Sequence, residues 1–578
     1  MSNGKSRAAA GGGKPSQAPV NSGGSKDRPA SIPPRSSLFR RVDWVTFGVT
    51  TLITLLAYLC TLAPDLTLED SGELAVGSFY AGVPHAPGYP IWTIYSWLFT
   101  VLLPFSNVAW RVAVSSAVAA AFANGLLGLI VSRGSSMMIE SIEELRSIER
   151  RWENALCLVS GFTAAILIGF NGFMWSQAVI VEVYTLSVLS LMGVLVCLLH
   201  WTYAPDQRRY LYIASFLFGI CFNNHQTLIV AAMGFEVAIA AINPKLGRDA
   251  FFINVVFFLV GLVLKSMGVL TSFDQNAPLY FIYIAVGVGS IAAWVYLTYQ
   301  TNSMLTEWKS VLITLGAWLL GAAFYFYMPI ASATNPPMNW GYPRTFDGFI
   351  HAFTRGQYEK TNPSNIFADP FRFLLQLKMY FEGAIDEFHL VYLLLALVPF
   401  VFFVRMQKRE RAWIVGNTAV YACLAFLLLI LLNPLVDRQS RDLTRVFFTA
   451  SHVTIAMFLG YGLTLLGAYL VTHYQQTRPY ALYGAAVAAA VGLYSLAARV
   501  QEVYGHLAGE HSGIGLLFHG LGQAFRHPSF TAPVHAIYAA LFVLVVALVF
   551  LGGVLLHRTR LRPEFALACF AVMPFFAP

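Results

Sequence analysis

The feature that most constrains this chain is a series of apolar runs, each long enough to cross a lipid bilayer and separated by short polar loops. A spanning helix needs roughly 20 apolar residues, and it satisfies its backbone hydrogen bonds internally because the bilayer core holds no water. Only 11% of the 578 residues are charged, whereas a soluble domain carries about 25%. The sequence therefore predicts an all-α, polytopic transmembrane helix bundle.

The runs predict about fourteen spans. The stretch 91–105 is apolar but short and is closed by Pro104, so we expect a re-entrant or juxtamembrane helix there in the first external loop. A second short run, 564–576, is equally ambiguous. The candidate spans are 44–63, 112–132, 154–171, 179–201, 210–224, 226–242, 251–272, 279–299, 310–328, 389–404, 412–433, 447–471, 480–498 and 534–556.

The basic residues of the short loops indicate an orientation. Lys and Arg concentrate in the cytoplasmic loops of membrane proteins. If 91–105 does not cross, the basic clusters that begin at Arg133, Arg208 and Arg405 fall on one side, and the loop 64–90, without Lys or Arg, falls on the other. If 91–105 crosses, this pattern inverts. The sequence therefore predicts that both termini are cytoplasmic.

Composition divides the chain into three parts. Residues 1–38 are rich in Gly, Ser, Pro and Ala and lack apolar periodicity, so we expect a disordered cytoplasmic tail. Residues 39–450 are interpreted as a catalytic transmembrane core with external loops 64–111 and 329–388. Residues 451–578 are interpreted as C-terminal transmembrane helices.

Several function classes find no support. The net charge of +8 is spread over loops between apolar runs, as in membrane proteins, so we expect no nucleic acid as a partner. The six cysteines lie in apolar segments and lack the spacing of a zinc site. No Walker, GxGxxG, GxSxG, HExxH or CxxC pattern occurs, which removes the usual signatures of nucleotide hydrolysis and of serine or zinc proteases.

The first external loop is strongly acidic. Four carboxylates lie within nine residues without a basic partner nearby: Asp65, Glu69, Asp70 and Glu73. On a helix from Thr67 to about Gly82, Asp70 and Glu73 share one face. Paired carboxylates can accept a proton, bind a metal, or do both. A capping box, with Thr67 as the N-cap and Asp70 at N3, explains the same residues without any chemistry.

Two further groups lie at the predicted external ends of spans. Glu182 is expected about two turns inside an apolar helix, where a carboxylate is costly and indicates a functional site. Its alternative role is a structural hydrogen bond to a neighbouring helix. His225, at the junction of two spans, is either a residue of the same cavity or a packed structural histidine.

A third group carries arginines. Arg438, Arg441 and Arg445 follow an i, i+3, i+7 pattern and so share one helix face. Guanidinium forks suit phosphate oxygens, which predicts a clamp for a lipid phosphate or pyrophosphate. Alternatively, Asp437 and Asp442 simply pair with these arginines.

The large external loop contains polar and aromatic residues that suit an acceptor or a sugar, although a plain packed loop explains them equally well. The candidate substrate-binding residues of the whole chain are His85, Glu182, Tyr184, His225, Asn339, Trp340, Arg355 and Tyr358.

The chain contains five short motifs, which are Asp-Ser-Gly-Glu at 70–73, His-x-Pro-Gly-x-Pro at 85–90, Glu-Val-Tyr at 182–184, Asn-Pro-Pro-x-Asn at 335–339 and Arg-Asp-x-x-Arg at 441–445. Together they resemble a known family, the GT-C-type protein O-mannosyltransferase-like membrane proteins. The resemblance covers about residues 40–450.

The resemblance implies a GT-C fold and an inverting transfer of a sugar, expected to be mannose, from a polyprenyl- or dolichyl-phosphate carrier to a hydroxyl of a protein or glycan. It implies that Asp70 is the general base, with Glu69 as the alternative and Glu73 beside it. The arginines would hold the phosphate, so no metal and no cofactor besides the lipid-linked donor are expected.

The expected location is a bacterial inner membrane or, in a eukaryote, the endoplasmic reticulum membrane, with the active site on the periplasmic or lumenal side. The alternative function is a transporter or flippase of an anionic lipid-linked substrate. A transporter needs charged groups along the depth of the bundle, whereas these gather at one face. A scaffold protein would leave Glu182 and the acidic loop without a purpose.

Overall fold

The computed structural model of the chain leaves out most of the predicted cytoplasmic tail and the short apolar run 564–576, and the predictions for both lie outside the described residues. The division of the chain at residue 450 also stays a prediction. The residues that the structure describes are 37–67, 69–358, 362–507, 513–526 and 532–562.

The described residues form α-helices joined by short turns, without a β-strand, which confirms the all-α prediction. The first helices are α1 Arg41–Cys60, α2 Ser71–Phe79, α3 Pro90–Leu102, α4 Val108–Ser141, α5 Arg150–Gly169, α6 Gly172–Ala178, α7 Tyr184–Tyr203, α8 Arg209–Asn224, α9 Ala232–Ile242, α10 Pro244–Ser266, α11 Ser272–Gln275 and α12 Ala277–Thr301. The remaining helices are α13 Trp308–Ala322, α14 Tyr327–Ala333, α15 Phe346–Phe353, α16 Pro370–Leu395, α17 Val398–Val401, α18 Lys408–Ala422, α19 Leu428–Leu432, α20 Arg438–Thr444, α21 Thr449–Thr472, α22 Tyr474–Tyr504, α23 Ile514–Arg526 and α24 Ala532–Leu556.

Eleven helical segments of the described residues are long and apolar enough to span a membrane, or twelve if a bent pair around residue 391 counts as one span. The chain is therefore an integral multi-pass membrane protein, but about fourteen spans are not confirmed. The predicted spans 210–224 and 226–242 explain part of the difference. Helix α8 has only 16 residues, and the next segment begins as the 3₁₀ helix Gln226–Ala231.

The predicted span 389–404 is also interrupted. His389, inside α16, has a φ of 60°, which breaks the regular helix, and the two halves differ in direction by 90°. The predicted external loop 329–388 is therefore not a loop throughout, since it contains α15 and most of α16.

Helices α4 and α5 lie at the centre of the bundle. In the apolar window of each, 83% of the residues are buried, compared with 17% for α12. Small residues allow the central backbones to approach closely, which is how membrane helices gain packing energy where no water drives association. A Cβ on Gly161 of α5 would lie 2.6 Å from the carbonyl oxygen of Gly128 on α4.

Helix α3 is the short helix expected within 91–105. It has 13 residues, fewer than a span needs. Its buried Trp92 donates a hydrogen bond from the indole N–H to the carbonyl oxygen of Glu182 at 3.0 Å. The short helix therefore joins the first external loop to the segment before α7.

Candidate functional site

The acidic segment folds differently from the predicted helix. Helix α2 begins at Ser71, and Asp70 is its N-cap residue, with a carboxylate that accepts no capping hydrogen bond. The Ser71 hydroxyl donates to the carbonyl oxygen of Thr67 at 2.6 Å. The capping box and the predicted start at Thr67 are therefore wrong. Because Glu69 takes a left-handed φ of 68°, the chain turns sharply just before Asp70.

Asp70, Glu73 and His85 meet at the start of α2. The His85 backbone N–H donates to the Glu73 carboxylate, and its ring Nδ1 lies 3.1 Å from Glu73 Oε1. Its Nε2 lies 3.1 Å from the Tyr89 hydroxyl and 3.9 Å from Asp70 Oδ2. A carboxylate only accepts hydrogen bonds at neutral pH, so these partners assign the proton to Nδ1 and leave Nε2 to accept from Tyr89.

Burial keeps the Tyr89 hydroxyl protonated, because it raises the pKa of this phenol well above its usual range. The Asp70 carboxylate is accessible, since its side chain is 58% exposed, whereas the Glu73 side chain is 19% exposed. The three groups therefore differ in their surroundings. Glu73 and Tyr89 form hydrogen bonds with the histidine ring, and the Asp70 carboxylate is largely exposed.

One ligand atom from each of Asp70, Glu73 and His85 lies within 4.8 Å of the others, and this donor set can hold a divalent metal ion. The histidine ring, however, already uses Nδ1 on Glu73 and Nε2 on Tyr89. A metal ion would have to displace one of these hydrogen bonds.

The turn that carries His85 is attached to the segment between α14 and α15. The Val83 N–H donates to the Met338 carbonyl at 2.8 Å, and the Trp340 N–H donates to the Val83 carbonyl at 3.0 Å, which forms an isolated parallel bridge. A Cβ at Gly82 would collide with the Met338 carbonyl oxygen, so only glycine permits this approach. The structure thus places the predicted Asn339 and Trp340 beside the acidic site.

Glu182 does not lie two turns inside a helix, because α7 begins only at Tyr184. The residue is 4% exposed, and Ser116 of α4 and Trp92 of α3 both donate hydrogen bonds to its carbonyl oxygen. Burial raises the pKa of its carboxyl group to about 8, and the nearby Glu69 and Asp70 carboxylates raise it further against the opposing Val183 N–H. Glu182 is therefore mainly protonated at neutral pH.

This pKa predicts a pH dependence. Between pH 7 and 9 Glu182 loses its proton beside Glu69 and Asp70, and the added negative charge opposes the approach of an anionic substrate. We expect the rate of the sugar transfer predicted from the sequence to fall in the wild type as pH rises through about 8. This fall should disappear in Glu182→Gln, because its amide stays neutral. The measurement is initial rate against pH for both proteins. An unchanged alkaline limb in Glu182→Gln would contradict the assignment.

Two predicted rings, Tyr184 and His225, lie together, with 5.1 Å between their centroids. Burial lowers the pKa of His225 to about 3, so its imidazole stays neutral. Phe447 contacts both rings, at 5.8 Å from Tyr184 and 5.5 Å from His225. This phenylalanine brings the segment after α20 to the site.

The three arginines of the predicted clamp lie along α20 and its C-terminal end. Arg438, with a side chain 93% exposed, lies 3.8 Å from Asp442, and Arg441 lies 3.7 Å from Asp386 of α16. Arg445 begins the 3₁₀ helix Arg445–Phe448 and lines the same small pocket as Arg441. Within the described chain, no ion pair of 4 Å or less joins these arginines to Glu69, Asp70 or Glu73.

Arg355 and Tyr358 lie closer to the acidic residues. The Arg355 guanidinium carbon is 4.6 Å from the Tyr358 ring centroid, and that ring is 6.4 Å from the His85 ring. The pKa of Tyr358 is raised, first by burial, while Arg355 opposes this shift and Asp70 and Glu73 add to it. Tyr358 therefore lies between a cation and the acidic pair.

The site residues predicted from the sequence do not include Tyr89, Trp92, Ser116 or Phe447. Tyr89 had a detectable signal, because it lies four residues after His85 in the Pro-Gly turn. The other three act through contacts between distant segments and leave no local pattern.

Comparison with known proteins supports the motif resemblance. Residues 70–245 match the family model described as "Protein O-mannosyl-transferase TMEM260 N-terminal domain". The predicted similarity to this O-mannosyltransferase-like family is therefore confirmed over a stretch that includes Asp70, Glu73, His85 and Glu182.

Two curated relatives carry the same name. The chain is 29% identical to protein O-mannosyl-transferase TMEM260 of Mus musculus over 201 residues, which is 34% of this chain and 25% of the relative. It is 24% identical to the Dictyostelium discoideum protein over 229 residues, which is 36% of this chain and 25% of the relative. The matches thus span about a quarter of the length of the curated relatives.

Two solved structures share a low overall similarity with this chain. ArnT from Cupriavidus metallidurans bound to undecaprenyl phosphate is 13% identical, with a TM-score of 0.38, 93% of this chain covered and 76% of ArnT covered. For the apo state of ArnT the TM-score is 0.40, with 13% identity and coverage of 92% and 74%.

Proposed function

We propose that this protein is a membrane glycosyltransferase of the GT-C class that transfers mannose from a polyprenyl- or dolichyl-phosphate carrier to a hydroxyl of a protein or glycan. The name of the curated relatives, which match the chain around the acidic loop, supports the reaction class. The active site would lie on the periplasmic face of a bacterial inner membrane or on the lumenal face of the endoplasmic reticulum. Nucleotide sugars are absent there, so a lipid must deliver the sugar.

The observation that carries the proposal is the accessible Asp70 carboxylate beside the fixed His85 ring. In the proposed step the acceptor oxygen bonds to the anomeric carbon from the face opposite the phosphate, which inverts the configuration. The bond between that carbon and the phosphate oxygen breaks, and its electron pair leaves with the phosphate. The proton of the acceptor hydroxyl passes to Asp70.

Asp70 is a better base than Glu69 in this arrangement. The Glu69 carboxylate helps to raise the pKa of the buried Glu182 carboxyl group. Asp70 instead lies 3.9 Å from the His85 ring nitrogen, is 58% exposed and accepts no capping hydrogen bond, which favours it as the proton acceptor. Glu73 would fix the His85 ring rather than react.

The other predicted residues are assigned to the substrates. We propose that Arg438, Arg441 and Arg445 attract the lipid phosphate at the membrane surface, since they lie on the segment that reaches the site through Phe447. The lipid-linked donor or the acceptor would contact the residues around the acidic pair, which are His85, Glu182, Tyr184, His225, Asn339, Trp340, Arg355 and Tyr358.

The reaction is proposed to need no metal ion, because both nitrogens of the His85 ring have hydrogen-bond partners and arginines can neutralise the leaving phosphate. We expect that dialysis against EDTA leaves the transfer rate within about twofold of the untreated enzyme. Initial rates with EDTA and after addition of Mg²⁺, Mn²⁺ or Zn²⁺ check this. A loss that one of these ions restores would assign Asp70, Glu73 and His85 as metal ligands.

The experiment that tests the function is a transfer assay with the full chain in lipid nanodiscs. Radiolabelled polyprenyl-phosphate mannose is supplied with a mixture of acceptor proteins, and the label that enters protein or glycan is counted. We expect label transfer that requires the lipid-linked donor. A parallel assay uses the full chain in sealed vesicles, where movement of intact donor across the membrane without sugar transfer would instead establish the transporter alternative.

A further inference from the structure

A cation lies within the acidic site itself. Arg355 follows α15, and its backbone has a left-handed φ of 56°. Its N–H donates to the Ala352 carbonyl at 3.2 Å, so the chain reverses directly after the helix. The guanidinium then packs over the Tyr358 ring, which orients the planar group without neutralising its charge.

The position of this guanidinium follows from its ring contacts. The guanidinium carbon lies 4.6 Å from the centroid of the Tyr358 ring, and that ring lies 6.4 Å from the His85 ring. The His85 Nε2 lies 3.9 Å from Asp70 Oδ2. Arg355 and Asp70 are therefore connected through two neighbouring rings and belong to one site.

Arg355 differs from two of the three arginines of the predicted clamp. Arg438 and Arg441 each lie within 4 Å of a carboxylate, whereas the described residues place no carboxylate at that distance from Arg355. A guanidinium offers five N–H donors in a planar fork that matches phosphate oxygens. Among acidic side chains that would repel a phosphate, such a group supplies the compensating charge.

We propose that Arg355 contacts the phosphate of the lipid-linked donor and stabilises it as the leaving group. This inference rests on the proposed function and assigns the donor phosphate to the mouth of the acidic site. When the bond from the anomeric carbon to the phosphate oxygen breaks, the phosphate gains negative charge beside the guanidinium. The acceptor proton meanwhile passes to Asp70, so the two groups serve opposite ends of the same displacement.

The test measures donor-phosphate binding and transfer separately. The full chain in nanodiscs is titrated with a polyprenyl phosphate, and the neutral polyprenol is the control for the tail. We expect Arg355→Ala to lose about 10-fold or more in affinity for the phosphate, and a similar factor in kcat/KM, with unchanged affinity for the polyprenol. Arg355→Lys keeps the charge without the fork and should lie between the two.

The matched control is Arg344→Ala in the same external loop. Arg344 also lies over a tyrosine ring, at 5.6 Å from the Tyr342 centroid, but it is exposed. We expect it to bind polyprenyl phosphate within about twofold of wild type. Thermal unfolding of each variant shows whether the fold is retained. If Arg355→Ala unfolds, Arg355→Lys replaces it as the test variant.

The outcomes separate the two proposals. If wild type transfers mannose and Arg355→Ala matches it in affinity and rate, the inference is overturned and the function stands. The inference also fails if Arg441→Ala abolishes phosphate binding and Arg355→Ala does not. If wild type binds polyprenyl phosphate through Arg355 but transfers no sugar, the phosphate site stands and the proposed function fails.

Discussion

Asp70→Asn is expected to lower mannose transfer about 1000-fold or more, because the asparagine amide has the shape of the carboxylate but cannot accept the acceptor proton. The Asp70 carboxylate is 58% exposed and forms no helix-capping hydrogen bond, so its replacement should cost little stability. The measurement is kcat in the nanodisc assay, with donor affinity measured in parallel. Near-normal affinity with lost turnover would identify a chemical role.

The matched control for this variant is Glu69→Gln. It removes one neighbouring carboxylate of the same segment, and we expect it to retain at least about a tenth of the wild-type rate. The reverse result, a silent Asp70→Asn and an inactive Glu69→Gln, would assign the base to Glu69. Full activity in both variants would exclude Asp70 and Glu69 as the general base.

His85→Ala is expected to reduce kcat about 100-fold. The ring joins Glu73, Tyr89 and the neighbourhood of Asp70, and its loss leaves the buried Tyr89 hydroxyl without this acceptor. Glu73 would still accept from the backbone N–H of residue 85, so the turn itself should persist. We therefore expect a defect in positioning, with slower turnover at a nearly unchanged donor affinity.

His85→Gln separates this role from a purely structural one, since its amide can replace one hydrogen bond of the ring and should recover part of the rate. His351→Ala, an exposed histidine of α15, is the control and should behave as wild type. If His85→Ala and His85→Gln unfold at the same lowered temperature and lose activity equally, the ring has only a packing role.

The curated relatives share a name with a reaction but match this chain over only part of its length. The matched stretch contains the proposed base and its histidine, whereas Arg355 and the arginines of α20 lie outside it. The proposed phosphate-binding residues therefore depend on the geometry of this chain and not on the matched stretch.

The acidic segment can be recognised from the sequence alone, because four carboxylates within nine residues form a local pattern. The prediction misplaced the helix there. Thr67 and Asp70 fit a capping box by spacing, but the Ser71 hydroxyl bonds to Thr67 and the helix begins later. Competing local hydrogen bonds of similar strength decide such an end, and the order of residue types does not reveal which one forms.

The predicted count of about fourteen spans is not confirmed for a related reason. The segments around 210–242 are apolar throughout, so composition predicts two full helices. In the fold, α8 ends after 16 residues and a 3₁₀ segment follows. Hydropathy indicates that a segment is buried in lipid or protein, but it does not state where the helix stops.

By itself the sequence determined that this is a multi-pass helical membrane protein with an acidic loop, because run length, charge density and short motifs are properties of neighbouring residues. Only the tertiary structure placed Glu182 before its helix, joined His85 to Glu73 and Tyr89, and brought Arg355 close to His85 through the Tyr358 ring. These arrangements depend on side chains from separate helices and loops. Their distances are set by the packing of α3 and by the bridge from Val83 to Asn339.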